Sequence, residues 1–333
     1  MSEQNLYHPV TIGNTQIKGN LFLAPLAGYT DVPFRSLCIE MGADMTFTEM
    51  VSAEGLFREG DKTLALLQRA PNEKEYSVQL FMGNTDSLPG ALEQLQSYNP
   101  TFIDINCGCP VPKVTKTGAG SAMMKNPPLI TEIVRMITRA LPIPVSVKFR
   151  TGWDANSENY LEFAQAALDG GASMLTLHAR TRSQGYAPFA DWSKLNTLKE
   201  YCLQKGHDVP IFGSGDLFHA QDVKRMLQET GVDGVMLARG AMGNPFIFQQ
   251  ARDILAGKEE RIISLEERIS VILRHLDLMI DHYGEQSACI QMRKHTCSYL
   301  KGIANTSAIK QEIVKAGRRE DYQLAMQRLQ ASC

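Results

Sequence analysis

Between Leu21 and Leu237 the chain repeats one unit eight times: a short apolar or β-branched run, then a stretch of helical periodicity. The runs are Leu21 to Ala24, Met45 to Glu49, Ser77 to Phe81, Phe102 to Asn106, Val145 to Phe149, Met174 to His178, Val209 to Phe212 and Gly234 to Leu237. They are near-continuously apolar, the pattern of parallel strands covered on both faces. Eight such units predict an α/β fold, a (β/α)8 TIM barrel. A doubly wound open sheet shares the alternation. The barrel is preferred because the units fit within residues 20 to 250, and because polar residues fall at the C-terminal ends of many different runs. Gly170-Gly171-Ala172 and Gly231-Val232-Asp233-Gly234 stand where helices should stop before the next strand.

Both flanks differ from this pattern. Val10-Thr11-Ile12 and Gln16-Ile17 around a Gly13-Asn14 turn predict an N-terminal hairpin covering one barrel end. After about Phe248 only helical periodicity remains, and Ser264-Leu265-Glu266-Glu267 is a capping box opening a helix to about His282. The expected domains are therefore a barrel over 1–250 and an all-helical C-terminal domain over 251–333. Net charge is only -2, yet Arg293, Lys294, Lys301, Lys310, Lys315, Arg318 and Arg319 face a single acid, Glu312, which makes a local basic stretch.

The seven cysteines (38, 107, 109, 202, 289, 297 and 333) are scattered and contain no C-x-x-C pair, so neither a disulfide framework nor a zinc ribbon is expected, and no metal site. Met1 to Gly19 lacks the basic-then-apolar order of a signal peptide, and no apolar run reaches the ~20 residues of a membrane span. A cytoplasmic monomer without membrane attachment is expected.

In a barrel, the C-terminal strand ends converge on one mouth. Read in order they supply Pro25, Leu26 and Ala27, then Glu49, Gln79, Asn106 with Cys109, Lys148 with Arg150, His178 with Arg180, Ser214-Gly215-Asp216, and Ala238-Arg239-Gly240. Each alone has an ordinary structural explanation, His178 as a hydrogen-bonded core residue for instance. The last two groups put small residues and a cation where barrels bind phosphate. Gln79 can address both a carbonyl and an N–H of a flat heterocycle, and Lys148 can stabilise negative charge at its pyrimidine end. That set suits an isoalloxazine. Cys109 sits between Gly108 and Pro110, which fix its direction and make it a candidate acid or nucleophile.

Ala24 through Asp31, Thr48-Glu49-Met50, Asp104 through Pro110, Lys113-Val114, Gly118-Ala119-Gly120, Lys148 through Trp153, His178 through Arg182 and Arg239-Gly240 together resemble the tRNA-dihydrouridine synthases, most of all their bacterial B-type branch. Leu26 stands where that family usually has Met, and Gly213-Ser214 replaces its common Ala/Gly-Asn. The resemblance implies reduction of the C5=C6 bond of D-loop uridines in tRNA, with FMN as cofactor and NADPH or NADH as reductant. It implies FMN contacts from Pro25, Leu26, Ala27, Gln79, Lys148, His178, Ser214, Gly215, Asp216, Ala238 and Arg239. It also implies Cys109 as proton donor, with Lys148, His178 and Asn106 assisting. RNA contacts are expected from Arg150, Arg180, Arg293, Lys294, Lys301, Arg318 and Arg319. Two rival readings remain open at this point. One is a flavin barrel acting on a free pyrimidine or an enone; the other is a phosphate-binding barrel that has lost catalysis and serves only to bind or fold RNA.

Overall fold

The computed structural model describes residues 5–332; Met1 to Gln4 and the expected seventh cysteine, Cys333, lie outside the described residues. The hairpin forms as β1 (Val10–Ile12) and β2 (Thr15–Ile17), paired with Ile12 opposite Thr15 and Gly13 at φ +58° in the two-residue turn. The barrel staves follow: β3 (Leu21–Leu23), β4 (Thr46–Phe47), β5 (Val51–Ser52), β6 (Tyr76–Phe81), β7 (Phe102–Cys107), β8 (Val145–Arg150), β9 (Met174–His178), β10 (Ile211–Ser214) and β11 (Gly234–Leu237). All are parallel, in the order β3-β11-β10-β9-β8-β7-β6-β4. The Phe22–Met45 bridge, with the Leu23 N–H donating to the Met45 carbonyl at 2.9 Å, closes β3 onto β4. The result is a closed eight-position barrel.

The second position departs from the expected single strand Met45 to Glu49. It is split into β4 and β5, both paired with β6, and Thr48, Glu49 and Met50 leave the ladder between them. Thr48 Oγ1 takes over one ladder bond by accepting from the Gln79 N–H at 3.1 Å. The bulge turns Glu49 toward the loop after β3 and Met50 into the mouth.

The bottom of the barrel is plugged. Val10, Ile12 and Ile17 of the hairpin pack with Phe22, Phe47, Phe102, Met174 and Phe212, and Phe22 stacks on Phe212 at 4.4 Å. Phe102 and Met174 begin their strands, so this plug closes the N-terminal end and leaves the other end free for chemistry. The helices before β9 and β11 end at Gly171 and Gly231, both left-handed, as expected from the sequence.

Helix Ile247–Leu255 spans the expected domain boundary, yet Ile247, Phe248, Ala251 and Ile254 pack into the barrel's own core. The second apolar core belongs to the helices Leu265–Tyr283, Glu285–Tyr299, Ser307–Ile313 and Arg319–Ala331, with Leu37 and Phe246 contributed from the barrel side. The capping box at Ser264 forms: Ser264 Oγ accepts from the Glu267 N–H and Glu267 Oε2 from the Ser264 N–H, both at 3.1 Å. A polar seam joins this unit to the barrel. Tyr283 Oη donates to Asp31 Oδ2 at 3.3 Å, Arg274 pairs with Glu40 at 2.6 Å, and Lys294 Nζ donates to the Gly28 carbonyl. At its centre His275 and His295 lie fully buried against Phe34, their ring centres 4.6 Å apart.

No helix among the described residues is long and apolar enough to cross a membrane, and no group of three or more His, Cys, Asp or Glu among them could hold a metal ion.

Candidate active site

Strand periodicity builds the floor of the mouth. Alternate residues face the barrel interior, so Asp104 and Asn106 of β7 share a face, as do Ser146 and Lys148 of β8. The ladder sets Gln79 beside Asp104, Asp104 beside Ser146, and Asn106 beside Lys148. The side chains complete a continuous polar chain. Ser146 Oγ donates to Asp104 Oδ1 at 2.6 Å, Gln79 Nε2 to Asp104 Oδ2 at 2.6 Å, and Asn106 Nδ2 to Gln79 Oε1 at 2.8 Å. Burial pushes the Asp104 carboxyl up to about 6, against the pull of the Gln79 and Ser146 hydrogen bonds and of Lys148. Asp104, Ser146 and Met50 were not among the expected site residues. For Asp104 the signal was present, two positions before Asn106 on the same strand face.

The far end of this chain shapes the cysteine loop. Asn106 Oδ1 accepts from the Gly108 N–H at 3.2 Å and the Cys109 N–H at 2.9 Å, an Asx turn that carries the chain off the strand. The Cys109 carbonyl is held by the N–H and hydroxyl of Ser121, both at 3.0 Å. Gly120, at φ +59°, makes that approach possible, since a Cβ there would lie 2.7 Å from the Cys109 oxygen. Cys109 is half-buried and lines the cavity, whereas Cys107 is fully buried with its sulfur 3.4 Å from Met123 Sδ. Desolvation raises the Cys109 thiol above its ordinary range; the Val111 N–H, Arg150 and Lys148 pull the other way.

Across the mouth, β8 to β11 and the turns after them supply cations and an imidazole. Lys148 is half-buried, and desolvation, with the nearby Arg150, lowers its ammonium to about 8. Among the described residues it has neither a hydrogen-bond acceptor nor a carboxylate within 4.0 Å. His178 is held well below its usual range by burial and by the surrounding cations Arg150, Lys148, Arg180 and Arg239, so it is neutral. Its Nε2 faces Arg180 Nη1 at 3.3 Å and therefore acts as an acceptor, leaving the proton on Nδ1. Asp216, at φ +57°, organises two arginines: Oδ2 takes Arg180 at 2.6 Å and Oδ1 takes Arg239 at 3.2 Å. Arg239 is sandwiched between the rings of Tyr186 at 4.2 Å and Phe218 at 5.0 Å. The turns after β10 and β11 touch here, because a Cβ on Gly240 would lie 1.9 Å from the Leu217 carbonyl oxygen.

These groups face one cavity of about 480 Å³ that includes every expected cofactor and catalytic position. Such a volume is that of a cofactor or small-molecule site, roughly 300 to 1,000 Å³. Both polar atoms of Gln79 are engaged by protein groups, so any ligand contact there shares them. Ser214 Oγ donates to the Met236 carbonyl at 3.0 Å and so braces β10 against β11.

The expected RNA contacts divide. Arg150 is 2% exposed, with Nε on the Gly108 carbonyl and Nη1 on those of Thr181 and Gly185. Arg180, also 2% exposed, is committed to Asp216 and the Pro188 carbonyl. Both brace mouth loops, and Arg150 also lines the cavity. Arg293 caps the chain at the Ala316 carbonyl, at 2.8 Å from Nη2, Lys294 reaches Gly28, and Arg319 pairs with Asp277 at 2.6 Å. Lys301 and Arg318 are exposed.

A closed parallel barrel with a polar, cation-rich cavity at its C-terminal mouth and a held thiol on one loop defines a barrel enzyme. Residues 22–332 match the family model "Dihydrouridine synthase (Dus)". The chain is 43% identical over 328 residues to a probable tRNA-dihydrouridine synthase of Treponema pallidum, covering 97% of this chain and 96% of that protein. It is 35% identical over 302 residues to tRNA-dihydrouridine synthase B of Pasteurella multocida, covering 90% and 89%. It belongs to the dihydrouridine synthase family. Among solved structures, a 2-naphthoyl-CoA reductase complex superposes with TM-score 0.56 at 10% identity over 77% of this chain and 53% of that one. Histamine dehydrogenase from Rhizobium sp. 4-9 gives TM-score 0.55 at 14% identity over 83% and 51%. The chain thus spans about half the length of those two, and the likeness is one of fold.

Proposed function

We propose that the protein is a flavin-dependent tRNA-dihydrouridine synthase that reduces the C5=C6 bond of uridine in the tRNA D-loop. One observation carries the reading: the Cys109 thiol and the Lys148 ammonium, both half-buried and the latter without a hydrogen-bond partner among the described residues, line the same cavity. A half-buried cation with no hydrogen-bond partner and no carboxylate within 4.0 Å fits a site that receives an electron-rich ring or its developing negative charge.

The residues present fit FMN. Pro25, Leu26 and Ala27 form a backbone ledge, Gln79, Lys148 and His178 offer polar atoms for the ring system, and Ser214 to Asp216 with Ala238 and Arg239 would hold the phosphate. FMN held there would supply the hydride chemistry for C6 of the uracil ring, with NADPH or NADH as the reductant. Cys109 gives C5 its proton. An elevated thiol pKa keeps that proton in place at neutral pH, which is what an acid requires. Asn106 fixes the loop that carries the thiol, and Lys148 stabilises negative charge on the base as it forms. His178, neutral, offers an N–H rather than a second charge.

A uridine in folded RNA must leave its stack to enter the cavity, at a cost of a few kcal/mol that contacts outside the mouth have to offset. Exposed Lys301 and Arg318 on the helical unit are candidates for such contacts. The test is direct. The purified protein should be yellow, and its reduced flavin should oxidise faster when tRNA lacking dihydrouridine is added, with dihydrouridine formed in the RNA. A colourless protein, or one that reduces free uracil and not tRNA, would sink the reading.

A further inference from the structure

The loop between β9 and the helix Ser193–Gln204 is pinned on both sides of Phe189. The Pro188 carbonyl accepts from Arg180 Nε at 2.8 Å, and the Ala190 N–H donates to Asp216 Oδ2 at 2.8 Å. Both anchors belong to the ion pair under the cavity. Phe189 between them is 88% exposed, and Tyr186, which lines the cavity while covering Arg239, is 57% exposed. Phe189 is thus an exposed ring held outward by backbone contacts on both of its sides.

The start of the same loop carries charge. The Arg182 N–H donates to the Gly152 carbonyl at 2.8 Å and the Ser183 N–H to that of Trp153 at 2.9 Å. The Arg182 guanidinium lies 4.5 Å from the centre of the Trp153 ring, and Lys125 Nζ lies over that ring at 3.5 Å. Among the described residues neither cation has a carboxylate within 4.0 Å, and Arg182 Nε is buried without an acceptor. One loop therefore joins outward aromatic rings to uncompensated positive charge at the edge of the mouth.

We propose that this loop, with Trp153 and Lys125, is an RNA-gripping element of the barrel itself. Phe189 stacks on a nucleobase next to the uridine drawn into the cavity, and Lys125 and Arg182, braced on Trp153, take a phosphate of the same strand. Flat rings on a polyanion match this combination of single aromatics and unpaired cations, whereas a protein partner would call for a broader apolar patch. A ring fixed to the site's own ion pair offers a replacement stacking surface where the flipped base leaves one open. The proposal rests on the reading of the cavity as a uridine-reducing site.

Binding of undermodified tRNA to the flavin-loaded protein tests it, across salt concentrations, for wild type, Phe189→Ala, Phe189→Trp and the double variant Lys125→Ala/Arg182→Ala. Phe189→Ala should weaken binding about tenfold or more and raise KM for tRNA in step, with flavin content and NADPH oxidation by oxygen unchanged; Phe189→Trp should restore affinity. The double variant should flatten the salt dependence by roughly one to two phosphate contacts. Wild-type affinity in Phe189→Ala overturns the proposal. So does a change confined to self-association by analytical ultracentrifugation, which would make the ring an interface between copies. Loop-dependent binding without dihydrouridine formation in wild type would uphold the loop and overturn the activity; dihydrouridine formation unaffected by Phe189→Ala would do the reverse.

Discussion

Asn106 Oδ1 accepts the Cys109 backbone N–H at 2.9 Å while the amide nitrogen of the same side chain donates to Gln79 at 2.8 Å, so the direction of the thiol is tied to the polar chain inside the barrel. Removing the tie with Asn106→Ala should leave flavin bound and lower kcat by about 10²-fold, the scale set by a displacement near 1 Å at the reacting group. Single-turnover flavin oxidation by tRNA would measure it.

Cys109→Ala should retain flavin and lose dihydrouridine formation. Cys107→Ala should stay active, at about 1 kcal/mol of stability, because that sulfur is buried against Met123 and away from the cavity. Denaturant titration and nucleoside analysis of the tRNA product separate the two effects; an inactive Cys107→Ala beside an active Cys109→Ala would reverse the assignment.

Asp104 makes the fold sensitive to pH. Burial raises its carboxyl to about 6, so the folded protein holds that proton more tightly than the unfolded chain. Its contribution is fully present below the unfolded value of about 4 and is lost as pH rises through 6. Asp104→Asn should remove this slope and raise the melting temperature near pH 7.5 relative to wild type. Thermal melts from pH 4 to 8 check the sign.

The buried imidazoles act in the opposite direction. His275 is lowered to about 3 and His295 well below its usual range, both chiefly by desolvation, so the folded protein binds fewer protons than the unfolded chain under mild acid. Their contribution is present above about pH 6.5 and is lost as pH falls below it. Neither ring nitrogen of His295 has a hydrogen-bond partner, and Tyr29, Phe34, His275 and Lys294 surround it. His295→Phe should therefore protect the fold between pH 4 and 6 (about the range in which an ordinary imidazole charges). Unchanged acid unfolding in that variant would count against the account.

Arg318 and Arg319 should part company. Arg318→Glu alters an exposed charge and should raise KM for tRNA without moving the melting temperature. Arg319→Glu also sets a carboxylate against Asp277, its present partner, and should lower the melting temperature as well.

The barrel was legible because parallel strands buried on both faces read as apolar runs, and eight of them leave little choice of closure. The mouth was legible because strand ends converge, whatever the loops do. The split second stave was not, since Thr48 replaces a backbone acceptor with its hydroxyl and the apolar run gives no sign of it. The bracing by Arg150 and Arg180 was hidden for a related reason: an arginine after a strand reads as exposed charge, and only the folded loops reveal the carbonyls and the carboxylate that engage it. Phe189 was silent because nothing local distinguishes an aromatic held outward from one folded in.

The seam formed by Lys294 on Gly28, Tyr283 on Asp31 and the imidazole pair on Phe34 constrains how this enzyme can be re-engineered. Because Gly28 follows directly on the ledge residues of the mouth, a hybrid carrying another relative's helical unit inherits mismatched hinges unless positions 28 to 40 travel with it. Swapping specificity between relatives is thus a matter of transplanting two distant stretches together.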